Sequence, residues 1–291
     1  MSFKIITDST CNFSEEAIEK LDLSVISLTY IINGKEFFGY EKGQKFNHKE
    51  YYELLKSKVS AKTGQATPQQ ARELVQPILE QGHDVLYVGF SSGLSGTYNA
   101  VCVALEELKQ EFPDHKIFYT DTLGASAGMV LLLKQACKMR DEGKTVEETH
   151  KWLEDTRLKV SYFFTVDDLW HLQRGGRLST AKAVMGSVLS IKPILIINNE
   201  GKLVPVGKAK GRKKSLDFLL DKMDENIDKP ANSTVYIIHA NVEEDAGYLA
   251  KQIKMRQKGM DVEIVHLEPV VGCHTGPGVA AVVFISKNGR E

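Results

Sequence analysis

The chain has 291 residues, of which 42% are hydrophobic and 26% are charged, and its formal net charge at pH 7 is −1. This balance excludes a strongly basic protein that binds nucleic acid through its phosphates. The longest apolar stretch near the C-terminus, residues 278–285, is too short to span a bilayer. The first residues lack the basic and then apolar pattern of a signal peptide, so we expect a cytoplasmic protein.

The four cysteines are spread widely along the chain, at Cys11, Cys102, Cys137 and Cys273. No pair has the Cys-x-x-Cys spacing of a zinc or redox site. No set of histidine, aspartate and glutamate residues has metal-ligand spacing either. We therefore predict neither a bound metal nor a cofactor.

Strand-like and helix-like segments alternate through the first half of the chain. Short strands rich in Ile, Val, Phe and Tyr are predicted at residues 3–7, 84–90 and 116–120. Helical periodicity runs onward from Ser14, Pro68, Thr97 and Gly124. Such alternation predicts a mainly parallel sheet with helices on both faces. Residues 30–37 differ, because Asn33-Gly34 between apolar runs predicts a β-hairpin.

A highly charged segment, residues 141–156, precedes a second set of elements. We place the boundary at its end, which gives α/β domains of residues 1–158 and 159–291. Strands are predicted at residues 160–166, 192–197, 202–206, 234–239, 261–266 and 280–286, and helices at 213–226 and 243–256. The expected fold class is α/β, with a second domain built on a mixed sheet and a ligand between the domains.

Residues 89–97, Gly-Phe-Ser-Ser-Gly-Leu-Ser-Gly-Thr, join a predicted strand to a predicted helix. This arrangement places free backbone N–H groups at the carboxyl edge of the sheet, where α/β proteins bind anions. We expect Ser95 to cap the helix. Ser91 and Ser92 precede that cap and are free to contact a carboxylate or a phosphate.

The same loop also fits Gly-x-Ser-x-Gly, the nucleophile elbow of serine hydrolases, with Ser91 at its centre. A serine hydrolase is therefore the alternative function. Its acid and its base would come from Asp121, Asp168, His266 and His274. The missing His-Gly-type oxyanion loop before the elbow disfavours this alternative.

Two threonines precede the predicted helix at Pro68. Thr67, Pro68 and Gln70 form a capping-box pattern, so Thr67 is expected to cap its own helix. Thr63, beside the permissive Gly64, has no such structural role. Thr63 is therefore the better candidate for a ligand contact.

A glycine-rich segment, residues 272–278, surrounds His274 between two apolar runs and is expected to be a loop. Flanking glycines let the backbone turn tightly and bring the imidazole to a cleft. His239 and His266, at predicted strand ends, are expected to be structural. Arg177 either serves the cleft or ties the two domains together.

Taken together, these segments resemble the DegV family, whose members include the fatty-acid-binding subunit of bacterial fatty acid kinase. The matching segments are Ile-Thr-Asp-Ser-Thr (6–10), Lys-Thr-Gly-Gln-Ala-Thr-Pro (62–68), Ser-Ser-Gly-Leu-Ser-Gly-Thr-Tyr (91–98), Gly-Gly-Arg-Leu (175–178), Lys-Pro-Ile-Leu (192–195) and His-Thr-Gly-Pro-Gly (274–278). They occur in the order of the family across the whole chain. The resemblance implies two α/β domains with a long-chain fatty acid between them and its tail in an apolar tunnel.

The resemblance also implies which residues hold the carboxylate. The family's threonine, serine and histidine ligands fall on Thr63, Ser92 and His274, and further candidates are Ser91, Thr275 and Gly276. A protonated His274 and helix N–H groups would offset the cost of burying the charge. The implied partners are a separate kinase subunit that makes an acyl phosphate and, transiently, a membrane for lipid exchange. This chain would supply no catalytic residue.

Two segments depart from the family pattern. The usual Thr-Ser-Gln-Pro reads Thr-Gly-Gln-Ala at residues 63–66. In the basic segment 208–214, an arginine often found early in the family is Lys210, and Arg212 follows two places on. Lysine does not replace arginine in bidentate contacts.

Overall fold

The computed structural model describes residues 3–167, 169–178, 190–228 and 233–290. The strands of its first half are β1 (Phe3–Asp8), β2 (Leu23–Ile26), β3 (Thr29–Ile32), β4 (Lys35–Phe38), β5 (Ala61–Gly64), β6 (Asp84–Gly89) and β7 (Ile117–Asp121). The helices are α1 (Glu15–Lys20), α2 (His48–Lys56), α3 (Pro68–Glu80), α4 (Thr97–Glu111), α5 (Ala127–Asp141) and α6 (Val146–Thr156). One sheet has the order β2-β1-β6-β7 with all pairs parallel, and a smaller antiparallel sheet has the order β4-β3-β5.

The second half forms one mixed sheet. Its strands are β8 (Val160–Thr165), β9 (Ile191–Ile197), β10 (Leu203–Lys210), β11 (Thr234–His239), β12 (Asp261–His266) and β13 (Ala280–Ile285). Its helices are α7 (Trp170–Arg174), α8 (Arg212–Asn226), α9 (Glu243–Arg256) and α10 (Pro269–Thr275). The strand order is β10-β9-β8-β13-β11-β12, and β11 with β12 is a parallel pair among antiparallel ones. The predicted fold class is confirmed, and residue 158, the predicted boundary, lies in the 3-10 turn Arg157–Lys159 before β8.

Helices cover both faces of the parallel sheet because its strands are apolar on both sides. Ile6 and Val85 pack with residues of α3 and α4, whereas Ile5 and Leu86 pack on the side of α5 and α6. Successive residues of a strand point to opposite faces, so this alternation follows from continuous apolar runs.

Helix α5 lies between the parallel sheet and the mixed sheet. It contacts β6 on one side and β8, β11 and β13 on the other. Its buried residues cover most of the helix surface, and the exposed Lys134 and Lys138 lie on the remaining face. The two halves of the chain therefore share one core instead of meeting at a polar interface.

The predicted hairpin is confirmed and has a third strand that the sequence pattern does not predict. Asn33 and Gly34 turn the chain between β3 and β4 with φ of 51° and 81°, as a type I′ turn requires. Strand β5 pairs with β3, with Thr63 opposite Tyr30. The predicted capping box of Thr67 is present and starts α3. The short segment between Thr63 and α3 is therefore held at both ends.

Adding one methyl group tests the close approach of α5 to the mixed sheet. A Cβ on Gly128 would overlap Tyr162 Oη, so we expect Gly128→Ala to destabilise the fold by about 1–3 kcal/mol through overpacking. Gly247 in α9 is the control, because its Cβ would meet nothing within 4 Å. Gly247→Ala should stabilise the protein by about 0.5–1 kcal/mol. Urea denaturation measures both, and equal stabilities would contradict the predicted contact.

Candidate functional site

A cavity of about 800 Å³, its open mouth included, lies between the parallel sheet and the mixed sheet. Most of its wall is apolar, with Phe90 from the first half facing Phe164, Ile238 and Val279 from the second. Its polar lining residues are Thr63, Ser95, Ser126, Arg177, His274 and Thr275. The cavity therefore suits a long apolar molecule with a small polar group.

Thr63 and His274 meet directly at this cavity. Thr63 Oγ1 and His274 Nε2 share a hydrogen bond of 2.8 Å, although the two residues are far apart in the sequence. Strand β5 fixes Thr63 through its pairing with β3, and α10 presents His274 in its last turn. His274 Nδ1 is buried and has no hydrogen-bond partner in the described part of the chain.

His274 lies on a helix and not on the predicted loop. Helix α10 begins after Glu268, whose carboxylate accepts the N–H groups of Val270 and Val271 at 2.6 and 2.7 Å. Pro269 occupies the first helical position, where its missing N–H costs nothing. The glycines of this segment predict a loop, although the sequence also contains the helix-start signals Glu268 and Pro269.

The surroundings of His274 in this structure favour the neutral ring. Burial, together with the cations Arg177 and Arg174, lowers the pKa of His274 from 6.5 to about 4. The positive charge that faces the cavity at pH 7 is therefore that of Arg177, which lines it directly.

Arg177 both faces the cavity and joins segments of the two halves. Its Nε donates to Leu94 O at 3.1 Å, and its Nη1 donates to Gly175 O. Arg174 has a different role, because it donates to the backbone carbonyls of Val59 and Cys273. Arg177 therefore lies in the cavity wall and also connects the two halves of the chain.

The structure places Ser95 on the cavity wall instead of Ser91 or Ser92. Ser91 is fully buried, and its Oγ donates to Gly201 O at 2.7 Å and accepts the Gly93 N–H. Ser92 is outside the lining, and its N–H donates to the Asp121 carboxylate. The physical reason is the turn in which Ser95 N–H donates to Ser91 O, because it points Ser91 into the protein.

Ser95 caps α4 in part, as predicted. The cap position itself is Gly96, which has no side chain to accept a hydrogen bond. Ser95 Oγ, one residue earlier, accepts the Thr97 N–H at 3.2 Å. The side chain of Ser95 therefore caps α4 and also lines the cavity.

The serine hydrolase alternative is not supported by the described residues. The Ser91 hydroxyl bonds to the backbone at Gly201 and Gly93, and a fully buried hydroxyl cannot reach a substrate. His274 is bonded to Thr63, and His266 packs against His239. The Asp121 carboxylate accepts backbone N–H groups of the neighbouring loops. Asp168 lies outside the described residues.

The other two predicted ligand contacts near His274, Thr275 and Gly276, lie in different environments. Thr275 lines the cavity, and its Oγ1 donates to Val271 O at 3.3 Å. Gly276 is not among the lining residues. It ends α10 with a φ of 73°, and a Cβ there would overlap the ring of His171. Gly276 is therefore a packing and turn residue.

Ser126 is a lining residue that the sequence motifs did not predict. It precedes α5 with a φ of 50° and a ψ of −130°, which is unfavourable for a residue with a side chain. Its N–H donates to Thr10 O, and its Oγ donates to Asn12 Oδ1 at 3.2 Å. Such strain is typical of functional sites. The feature of the sequence that points to Ser126 is the run of small residues at 124–128.

The two departures near Thr63 have a local explanation. A Cβ on Gly64 would overlap Thr29 Oγ1, so a serine does not fit here unless the Thr29 side chain moves. Ala66 is fully buried, and its N–H donates to Thr97 Oγ1 at 3.2 Å. These residues bring the Thr63 segment close to the start of α4.

Comparison with known proteins identifies the family of this chain. The model of the family described as "Uncharacterised protein, DegV family" matches residues 2–287. This chain belongs to the DegV family. A DegV domain-containing protein of Clostridium perfringens is 38% identical over 283 residues, which cover 97% of each chain. None of the helices in the described ranges is long and apolar enough to cross a membrane.

Solved DegV structures superpose over nearly the whole chain. A fatty-acid-binding DegV family protein of Streptococcus agalactiae is 30% identical with a TM-score of 0.86, covering 99% of this chain and 100% of that one. The fatty-acid-binding DegV of Bacillus subtilis is 28% identical with a TM-score of 0.84, at 99% and 100% coverage. A DegV family protein of Thermus thermophilus that binds fatty acid is 26% identical with a TM-score of 0.87, at 98% and 100% coverage.

The titration of His274 tests the electrostatics of the site. We expect a pKa of about 4 for His274, well below the ordinary 6.5. Because the folded state disfavours the proton, the stabilisation by neutral His274 is complete above pH 6.5 and is lost as the pH falls towards 4. NMR of labelled histidines measures the pKa. Between pH 7 and pH 5, urea denaturation of His274→Gln should show a smaller loss of stability than the wild type. A normal titration near 6.5 would contradict this environment.

Proposed function

We propose that this protein binds a long-chain fatty acid with its tail in the apolar cavity. The carboxylate would lie at the head-group cluster, which we define as Thr63, Ser95, Arg177 and His274. The observation that carries the proposal is one apolar cavity with these side chains in its wall. The fatty-acid-binding relatives of S. agalactiae, B. subtilis and T. thermophilus, which share the fold over nearly their whole length, support it.

The tail would supply most of the affinity. Burying a methylene group contributes about 0.8 kcal/mol, so about fourteen of them offer roughly 11 kcal/mol before the costs of association. A hydrogen bond to the head contributes about 1–3 kcal/mol, depending on its charge. The head-group cluster therefore determines the position and orientation of the acid more than it determines how tightly the acid binds.

The cluster can offset the cost of burying a carboxylate. Arg177 provides a cation, and the hydroxyls of Thr63 and Ser95 provide donors that are already fixed by backbone contacts. His274 shares a hydrogen bond with Thr63, so a bound carboxylate would accept from this pair instead of leaving a buried polar group without a partner.

We also propose that the bound acid is presented to a separate kinase subunit, after loading at a membrane surface. The basic segment 208–214 is the docking surface that we favour. Lys208 and Lys210 are exposed along β10, which lies at one edge of the mixed sheet, whereas Arg212 Nε donates to Asp245 at 2.7 Å. A partner would therefore meet the lysines first.

Extraction of the purified protein tests the ligand. We expect denaturing extraction and mass spectrometry to recover a C16–C18 fatty acid at about one molecule per chain. Ala281→Phe is the matched variant, because Ala281 is a small residue in the cavity wall and a phenyl ring there would fill space that the tail needs. Its extract should lose the acid while its circular dichroism stays native. A polar metabolite, or nothing, in the wild-type extract would contradict the proposal.

Variants of Ser92 and Ser95 distinguish the site seen in the structure from the site predicted from the sequence. Ser95→Ala should weaken fatty acid binding about 5- to 30-fold, the effect of losing a hydrogen bond worth about 1–2 kcal/mol. Ser92→Ala should change it less than twofold, since Ser92 is outside the cavity wall. Fluorescent fatty acid displacement measures both, and Ser95→Thr should restore binding. A larger loss of binding in Ser92→Ala than in Ser95→Ala would instead indicate that Ser92 contacts the carboxylate.

A further inference from the structure

Two histidines stand side by side at the carboxyl ends of neighbouring strands. His239 ends β11 and His266 ends β12, and they are paired in the register of this parallel pair. Their ring centroids are 4.0 Å apart. Glu243 begins α9 just beyond β11, and its Oε1 lies 3.8 Å from His266 Nε2. The fold therefore gathers two imidazoles and a carboxylate at one edge of the mixed sheet.

The imidazoles have unused binding capacity. His239 is only 2% exposed. The Nδ1 atoms of His239 and His266 are buried and have no hydrogen-bond partner within the described ranges. A buried nitrogen left without a partner costs about 1–3 kcal/mol, and an ion satisfies it where that nitrogen is the ligand atom.

We propose that His239, Glu243 and His266 form a binding site for a divalent transition metal ion, with Zn²⁺ as the best match. One donor atom from each residue lies within 4.8 Å of the others. Nitrogen and carboxylate donors favour zinc and its neighbours over Mg²⁺ or Ca²⁺, which prefer oxygen alone. The prediction of no metal rests on sequence spacing, which cannot show that two strands place these histidines together.

Closing the site requires little movement. Ligand atoms in a tetrahedral zinc site with bonds of about 2.0–2.2 Å are roughly 3.3 Å apart. Donors that lie within 4.8 Å of one another must therefore approach by up to about 1.5 Å. Glu243 is exposed at the start of its helix and can change rotamer freely. Three protein ligands leave a fourth position for water or an exogenous ligand.

The site lies where the first half of the chain packs on the second. The ring of His48, in α2, is 4.7 Å from that of His266, and Asn241 donates to Glu53 Oε1 of α2 at 2.8 Å. Leu267, the residue after His266, lines the lipid cavity and accepts the hydroxyl of Tyr52 through its carbonyl. An ion here would fix α9 to the end of β12, outside the cavity but next to its wall.

Metal titration of the full-length chain tests the site. The protein is first freed of metal with a chelator and then titrated with ZnCl₂ by calorimetry, with and without bound fatty acid. We expect one Zn²⁺ per chain and a rise in melting temperature. Glu243→Gln and His266→Gln should each lower the affinity at least tenfold and remove that rise. Glu243 is exposed, so its variant tests the site without disturbing the core.

His115→Gln is the matched control. The Nδ1 of His115 lies 3.7 Å from a carboxylate oxygen of Asp84, so it resembles half of the proposed site. Its variant should bind Zn²⁺ as the wild type does. The proposal is overturned if the wild type shows no one-to-one transition, or if the Glu243 and His266 variants bind unchanged, because the ion then lies elsewhere. Fatty acid content, measured on the same samples, keeps this outcome separate from that of the lipid site.

Discussion

The guanidinium of Arg290 holds the two halves of the molecule together. It donates to five backbone carbonyl groups, those of Thr122, Leu123, Arg157, Val160 and Asn198. An arginine has five N–H donors, so the buried side chain is fully satisfied without a carboxylate partner. Burial lowers the pKa of Arg290, yet arginine stays charged at any physiological pH. One cation thus fixes the loop after β7, the start of β8 and the turn after β9.

The cavity depends on those same segments. The loop after β7 continues into Ala125 and Ser126, which line the cavity, and the turn after β9 leads to Gly201, which accepts the Ser91 hydroxyl. The serine that resembled a nucleophile therefore attaches the loop before α4 to the mixed sheet. Polar residues that stand out in a sequence are often needed to assemble a site instead of acting in it.

Much of the fold can be predicted from local patterns. The predicted strands at 234–239 and 261–266 and the predicted helix at 243–256 are correct to the residue, because apolar runs end at clear turn residues there. The hairpin at Asn33-Gly34 and the cap at Thr67 are correct for stereochemical reasons. Strand β5 is not predictable in this way, since Ala-Lys-Thr-Gly has no apolar alternation and exists as a strand only because β3 pairs with it.

The site is only partly predictable. Thr63 and His274 lie in the cavity wall, but their direct contact follows from the packing of β5 against α10, which no local pattern encodes. The choice between Ser92 and Ser95 depends on where a turn points each side chain. The pairing of His239 with His266 likewise arises from strand register, a long-range property.

The position of β13 has a consequence for how this protein is made. The strand lies between β8 and β11, although it follows both in the chain. During synthesis, β8-β9-β10 and β11-β12 therefore expose facing edges until residues 280–285 arrive between them. Exposed strand edges promote aggregation, and long-range strand pairing is slow. Until β13 inserts, these unpaired edges leave the chain open to faulty pairing with its neighbours.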